Sequence, residues 1–152
     1  MSKKQYRPLA SDIGLEYTFT SHGPRGSIEK KIIYRAFENA PNVFNHGMGD
    51  ATPDGFFDDS AISDNHDLPQ ISRAVGMSLL SFFDRYPTAS VFIQGFTESR
   101  TRLFRRMLSL HQKETKVHFT FMGCWTITGK FSSRIDRIPP ILFKKNSRIF
   151  KL

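Results

Sequence analysis

Two stretches of this chain hold the residue types that bind or transform anions. The first is 90–111, where an apolar run, Ser90-Val91-Phe92-Ile93-Gln94, is followed by Gly95-Phe96-Thr97 and then by Glu98-Ser99-Arg100-Thr101-Arg102. The order is a buried strand, a glycine turn, a threonine cap and a helix that opens on arginines. Free N–H groups and the dipole at a helix start favour anions, and guanidinium groups add paired bonds to phosphate oxygens. Thr97, Ser99, Arg100 and Arg102 are therefore the expected anion-binding residues. The second stretch is 48–67, which holds Asp50, Asp54, Asp58, Asp59, Asp64 and Asp67 and no Lys or Arg, a local charge of −6. It is also a ready internal partner for those arginines. The expected site is thus a junction, with Thr97, Arg100 and Arg102 on one side and Asp50 and Asn65 on the other. Either a ligand lies between the two sides or they satisfy each other.

The acidic stretch does not read as a metal loop. Asp50-Ala51-Thr52-Pro53-Asp54-Gly55 matches the opening of an EF-hand, but Ala61 stands where the bidentate glutamate is required. His22, His46, His66, His111 and His118 show no metal-ligand spacing. Neither a metal nor an organic cofactor is expected. His66, between Asp64 and Asp67, is the histidine best placed for acid–base work, so the catalytic candidates are Asp50, Asn65, His66, Arg100 and Arg102. The chain has no Gly-x-Ser-x-Gly elbow, P-loop or dinucleotide fingerprint.

The chain has 152 residues, the size of one domain with a real core, and is 39% hydrophobic and 24% charged. Its net charge of +8 favours polyanions. Arg102, Arg105 and Arg106 share the polar face of the expected second helix. From 131 to 152, Arg134, Arg137, Lys144, Lys145, Arg148 and Lys151 oppose Asp136 alone. Arg105, Arg106, Lys144, Lys145 and Arg148 are the expected nucleic-acid contacts. Phe is abundant, at 15 residues. Most of those rings belong in a core, and any left at the surface could meet a partner or stack on a base. One cysteine, Cys124, rules out an internal disulfide, and its apolar neighbours read as a buried inert thiol. The basic N-terminus leads into no apolar signal core, and no run approaches the roughly 18 apolar residues of a membrane span. A cytoplasmic protein is expected, with no membrane partner.

The elements that must position these residues follow from periodicity. Leu15, Tyr17 and Phe19 alternate with polar residues as in a half-buried strand. Ser27–Phe37 reads as a second strand, with the run Glu29-Lys30-Lys31 polar. Asn39–Asn42 reads as a turn and Val43–Met48 as a third strand. Gly49–His66 reads as a long loop. Asp67 and Gln70 form a capping box ahead of a helix whose Ile71, Val75, Leu79, Phe82 and Phe83 share one face, stopped by Tyr86-Pro87. Ser90–Gln94 is a strand. The second helix spans about 98–112, with Leu103, Phe104, Met107, Leu108 and His111 inward. Lys116–Met122 is another strand, which Cys124–Thr128 could extend. The expected fold is α+β: an antiparallel meander followed by helix, strand, helix and strand, a single sheet with two helices. It forms one domain over 1–152, with an N-terminal arm over 1–14 and a basic C-terminal arm over 131–152.

Gly49-Asp50, Ile62-Ser63-Asp64-Asn65-His66-Asp67, Phe82-Phe83-Asp84-Arg85-Tyr86-Pro87 and Gly95-Phe96-Thr97 leading to Arg100-Thr101-Arg102-Leu103-Phe104 together resemble a family of small bacterial proteins of unknown function. The resemblance covers most of 15–125. It departs at Asp64, Phe96 and Phe104, where the family pattern has Asn, Ser and Tyr. It implies no activity, but it marks Asp50, Asn65, Thr97, Arg100 and Arg102 as polar positions of one site. On topology alone the chain is also similar to GNAT-type acetyltransferases. Their glycine-rich pyrophosphate loop is replaced here by Asp67-Leu68-Pro69-Gln70, which argues against acetyl-CoA.

The leading expectation is a protein that binds nucleic acid or a nucleotide, as in a toxin-like component of a toxin–antitoxin or defence pair with an acidic, antitoxin-like protein partner. The alternatives are a degenerate acyltransferase-like or phosphodiester-cleaving enzyme and a protein–protein interaction module.

Overall fold

A computed structural model describes residues 5–61, 63–93, 102–107, 119–123 and 141–145, the last two segments as backbone alone. In chain order the elements are β1 (Leu9–Ala10), β2 (Glu16–Gly23), β3 (Gly26–Phe37), β4 (Ala40–Ala51), β5 (Phe57–Asp58), α1 (Leu68–Arg85), β6 (Ser90–Ile93), a helical segment α2 over 102–107, β7 (Phe119–Gly123) and β8 (Ile141–Lys145). One sheet takes the strands in the order β1-β2-β3-β4-β6-β8-β7, with β5 on β4. The class is α+β, as the alternation and the two helical periods imply.

The meander β2-β3-β4 is antiparallel, with Tyr17 opposite Ile32 and Ile32 opposite Met48. Residues two apart share a face of the pleat. Tyr17, Phe19, Ile32, Tyr34, Val91 and Ile93 therefore all turn to one side, where α1 lies on them. Ile71, Val75, Leu79, Phe82 and Phe83 form the buried stripe of α1, each such side chain contributing about 1.5–3 kcal/mol by leaving water. The Tyr34 ring stacks on Phe82 with centroids 4.2 Å apart, and its hydroxyl pairs with Ser78 Oγ at 2.8 Å. Burial raises the Tyr34 pKa far above its ordinary value.

Four details depart from the periodicity reading. The turn expected at Asn39–Asn42 is tighter, because β4 begins at Ala40. The extra residues form a bulge: Phe37 pairs Ala40 while Ala36 pairs Phe44, and Asn42 takes a positive φ of 60°. The long loop expected over Gly49–His66 contains β5, which pairs Asp58 with Asp50. The step from β4 to β6 is parallel, because α1 carries the chain back to the end of the sheet at which β4 begins. Lastly, Ile141–Lys145, inside the stretch read as a basic arm, is a strand between β6 and β7.

Candidate functional site

In β3 the pleat splits the charged run. Lys30 shares the inner face with Ile32 and Tyr34, while Lys31 points to the other side. Lys30 is only 6% exposed, and an ammonium so placed costs several kcal/mol unless it is paired. Its partner stands directly opposite on β4: Lys30 Nζ bonds Asp50 Oδ1, and both meet Ser63 Oγ. The carboxylate expected to face a ligand or an arginine is thus held by the neighbouring strand. On the outer side, Lys31 Nζ lies 3.0 Å from Glu16 and donates to the Gly55 carbonyl.

A second polar cluster closes the start of α1. Asp67 sits at the N-cap position but makes no side-chain cap bond. Its carboxylate instead accepts from Ser21 Oγ at 2.6 Å and from the Tyr6 hydroxyl at 2.8 Å. The capping box expected with Gln70 is therefore absent, since two hydroxyls from distant segments outcompete the adjacent amides. The first turn relies on the Asp67 carbonyl, which accepts from Gln70 and Ile71. Asn65, also buried, donates to Ser21 Oγ at 2.9 Å and to the Gly26 carbonyl at 3.0 Å, and accepts from the Arg25 amide at 2.9 Å. Gly23 makes room for it, as a Cβ there would stand 2.0 Å from the Asn65 carbonyl oxygen. Burial raises the Tyr6 pKa, and its bond to Asp67 raises it further. The Asn65 amide and Asp67 Oδ2 are thus occupied by structure.

The third feature lies beneath α2. Phe104 and Met107 are buried, three residues apart on one side of the helix. Leu103, expected inward, is exposed because it lies about 100° round the helix from Phe104. The Met107 carbonyl accepts from Ser72 Oγ at 2.7 Å, which ties α2 to α1. The Phe104 ring meets His46 edge-on at 5.8 Å, and Tyr34 flanks the same imidazole at 5.3 Å. His46 is fully buried, and among the described residues neither ring nitrogen has a hydrogen-bond partner. Burial pushes its pKa down to about 4, so the ring is neutral at pH 7.

The sequence candidates thus separate. Asp50 and Asn65 belong to two different clusters. His66 is 72% exposed at a positive φ of 57°, with Nε2 3.9 Å from Asp64, and joins neither. Arg102 and Arg106 are exposed on α2, and Arg105 is half-buried. Lys144 pairs Ser90 and Thr120 through the backbone of β8, and Lys145 pairs Phe119. Thr97, Ser99, Arg100, Arg148, Cys124, Leu108, His111 and His118 lie outside the described residues. Among the described residues no group of His, Cys, Asp and Glu could hold a metal ion.

Tyr6, Ser21, Lys30 and Ser63 were not singled out from sequence. The alternation Lys30-Ile32-Tyr34 could have placed Lys30 on the buried face. Nothing local marks Tyr6, whose partner Asp67 lies 61 residues away.

Residues 2–138 match the model of a family of unknown function, DUF6934, and the chain belongs to that family. No curated protein and no solved structure matches it. Among the described residues no helix is long and apolar enough to cross a membrane.

Proposed function

We propose that this protein binds a phosphate-bearing polyanion, nucleic acid in the first instance, in the cytoplasm. The observation that carries the reading is the fate of the acids set against a net charge of +8. Asp50 is held by Lys30, and Asp67 is buried under two hydroxyls. Two of the six aspartates of 48–67 are thus occupied inside the fold, and the surface of α2 presents Arg102 and Arg106. A toxin-like component of a two-protein pair, neutralised by an acidic partner, is the specific biological version. The enzyme alternatives draw less support, because Asp50, Asn65 and His66 do not converge.

The test is fluorescence anisotropy with labelled RNA and DNA 20-mers. Two to three phosphate contacts lower the affinity roughly 10- to 40-fold between 50 and 200 mM salt. An affinity that does not move with salt, or no binding at 50 mM, overturns the reading.

A further inference from the structure

The two faces of the sheet are unequal. The inner one is covered by α1. On the outer one, Phe57 lies over Gly47 and Gly49, where a Cβ would meet its ring at 2.8 and 2.7 Å, and Lys31 is tied to Glu16 and Gly55. Beyond that cover the outer face of β3, β4 and β6 continues as a row. Arg35 pairs Asn45, and Asn45 pairs Phe92. Strand spacing puts the whole row within about 10 Å. Phe37 adjoins it beside the bulge, 42% exposed, with its ring edge-to-face on Phe92 at 5.9 Å. Arg35 is exposed and Asn45 half-buried, and neither side chain has a hydrogen bond or ion pair among the described residues.

We infer that Phe37, Phe92, Arg35 and Asn45 form a stacking platform for single-stranded nucleic acid. The inference rests on the nucleic-acid reading and deepens it. Each element has a use that fits one ligand chemistry. A base stacks on an exposed ring irrespective of its identity. A side-chain amide can both donate to and accept from a base edge. A guanidinium at the border of the platform meets the phosphate. The bases of a duplex are stacked on one another and offer no free face to a flat sheet, so the occupant is a single strand. Charge favours this occupant over a second copy of the chain, since each copy carries +8. The only acid in the adjoining turn is Glu38, against the exposed Arg35.

The experiment compares 5′-fluorescein-labelled 12-mers of oligo(U) and oligo(dT) with a 12-base-pair duplex, using wild type, Phe37→Ala, Arg35→Ala and Arg102→Ala/Arg106→Ala. Phe37 and Arg35 lie outside the core, so thermal unfolding is expected to match wild type. Single strands are expected to bind more tightly than the duplex, and Phe37→Ala to weaken single-strand binding about 5- to 100-fold while leaving the duplex unchanged. Arg35→Ala is expected to lower the salt slope by about 1. If Phe37→Ala binds like wild type while the double arginine variant loses affinity, the platform is overturned and the nucleic-acid reading stands. If no oligonucleotide binds wild type at 50 mM salt, both fall. Dimers in sedimentation that Phe37→Ala dissolves would make the face a self-contact and also overturn the platform.

Discussion

Asp67 and His46 are both buried against the layer between sheet and helix, and the fold treats them in opposite ways. Asp67 carries a charge and is given donors, Tyr6 and Ser21. His46 is given aromatic edges, Tyr34 and Phe104, and among the described residues no donor or acceptor. The first solution keeps the ion by supplying hydrogen bonds to it; the second abandons the ion and holds the neutral ring. Asp50 follows the first pattern, with Lys30 as its counter-ion. The contrast teaches that a titratable side chain on the inner face is not by itself a reactive one. Its chemistry depends on whether its neighbours stabilise the charge.

The largest expected break in this comparison is Asp50→Ala, which leaves the Lys30 ammonium buried without its partner. Urea unfolding is expected to show a loss of about 3–5 kcal/mol. Asp50→Ala with Lys30→Met should recover most of it. A loss under about 1 kcal/mol would mean that Lys30 reaches water. Next is acid sensitivity. The His46 pKa is depressed from 6.5 to about 4 in the folded chain, so the unfolded chain takes up this proton first. Stability from this group is whole above pH 6.5 and is lost as pH falls towards 4, by at most about 3 kcal/mol. The difference in unfolding free energy between wild type and His46→Leu, followed over that window, isolates the effect. A difference that stays flat would show that the ring is protonated in place.

Gly23→Ala probes the other side of the contrast by forcing a methyl against the Asn65 carbonyl. Displacing Asn65 breaks three hydrogen bonds, and a loss of about 2–3 kcal/mol is expected in the same urea measurement. An unchanged midpoint would show that the 63–67 segment shifts freely. The smallest effect is that of His46→Leu at pH 7. It removes two nitrogens that have no partner among the described residues, at similar volume, and a gain of about 1 kcal/mol is expected in thermal unfolding. A loss of that size would reveal a partner for the ring.

Much of the architecture could be read from spacing. The stripe of α1 was legible because Ile71, Val75, Leu79, Phe82 and Phe83 all bury on one side, and the meander because Leu15, Tyr17 and Phe19 alternate. What could not be read is where long-range partners intervene. Asp67 followed by Gln70 has the local form of a capping box, and only the arrival of Tyr6 and Ser21 changes its use. Asp50 looked like one member of an acidic loop, because the loop's charge was visible and the cross-strand register with Lys30 was not. The parallel pairing of β4 with β6 has no local signature either, since alternation tells which face a residue takes and not which strand lies beside it. The abundance of Phe was plain, but only the register showed which rings stay at the surface.

The position of β8 bears on how the chain reaches this state. β6 is an interior strand because β8 fills its second edge, and 47 residues lie between Ile93 and Ile141. The neighbours of β6 on the other side are formed through short turns and one helix. During synthesis the β1–β6 half can assemble while one row of β6 backbone groups still faces water. Closing that edge requires β8 to enter from far along the chain, a step slowed by the entropy of a long loop. Until it does, β6 is open to pairing with another chain. Concentration-dependent aggregation early in refolding is therefore the hazard built into this sheet order.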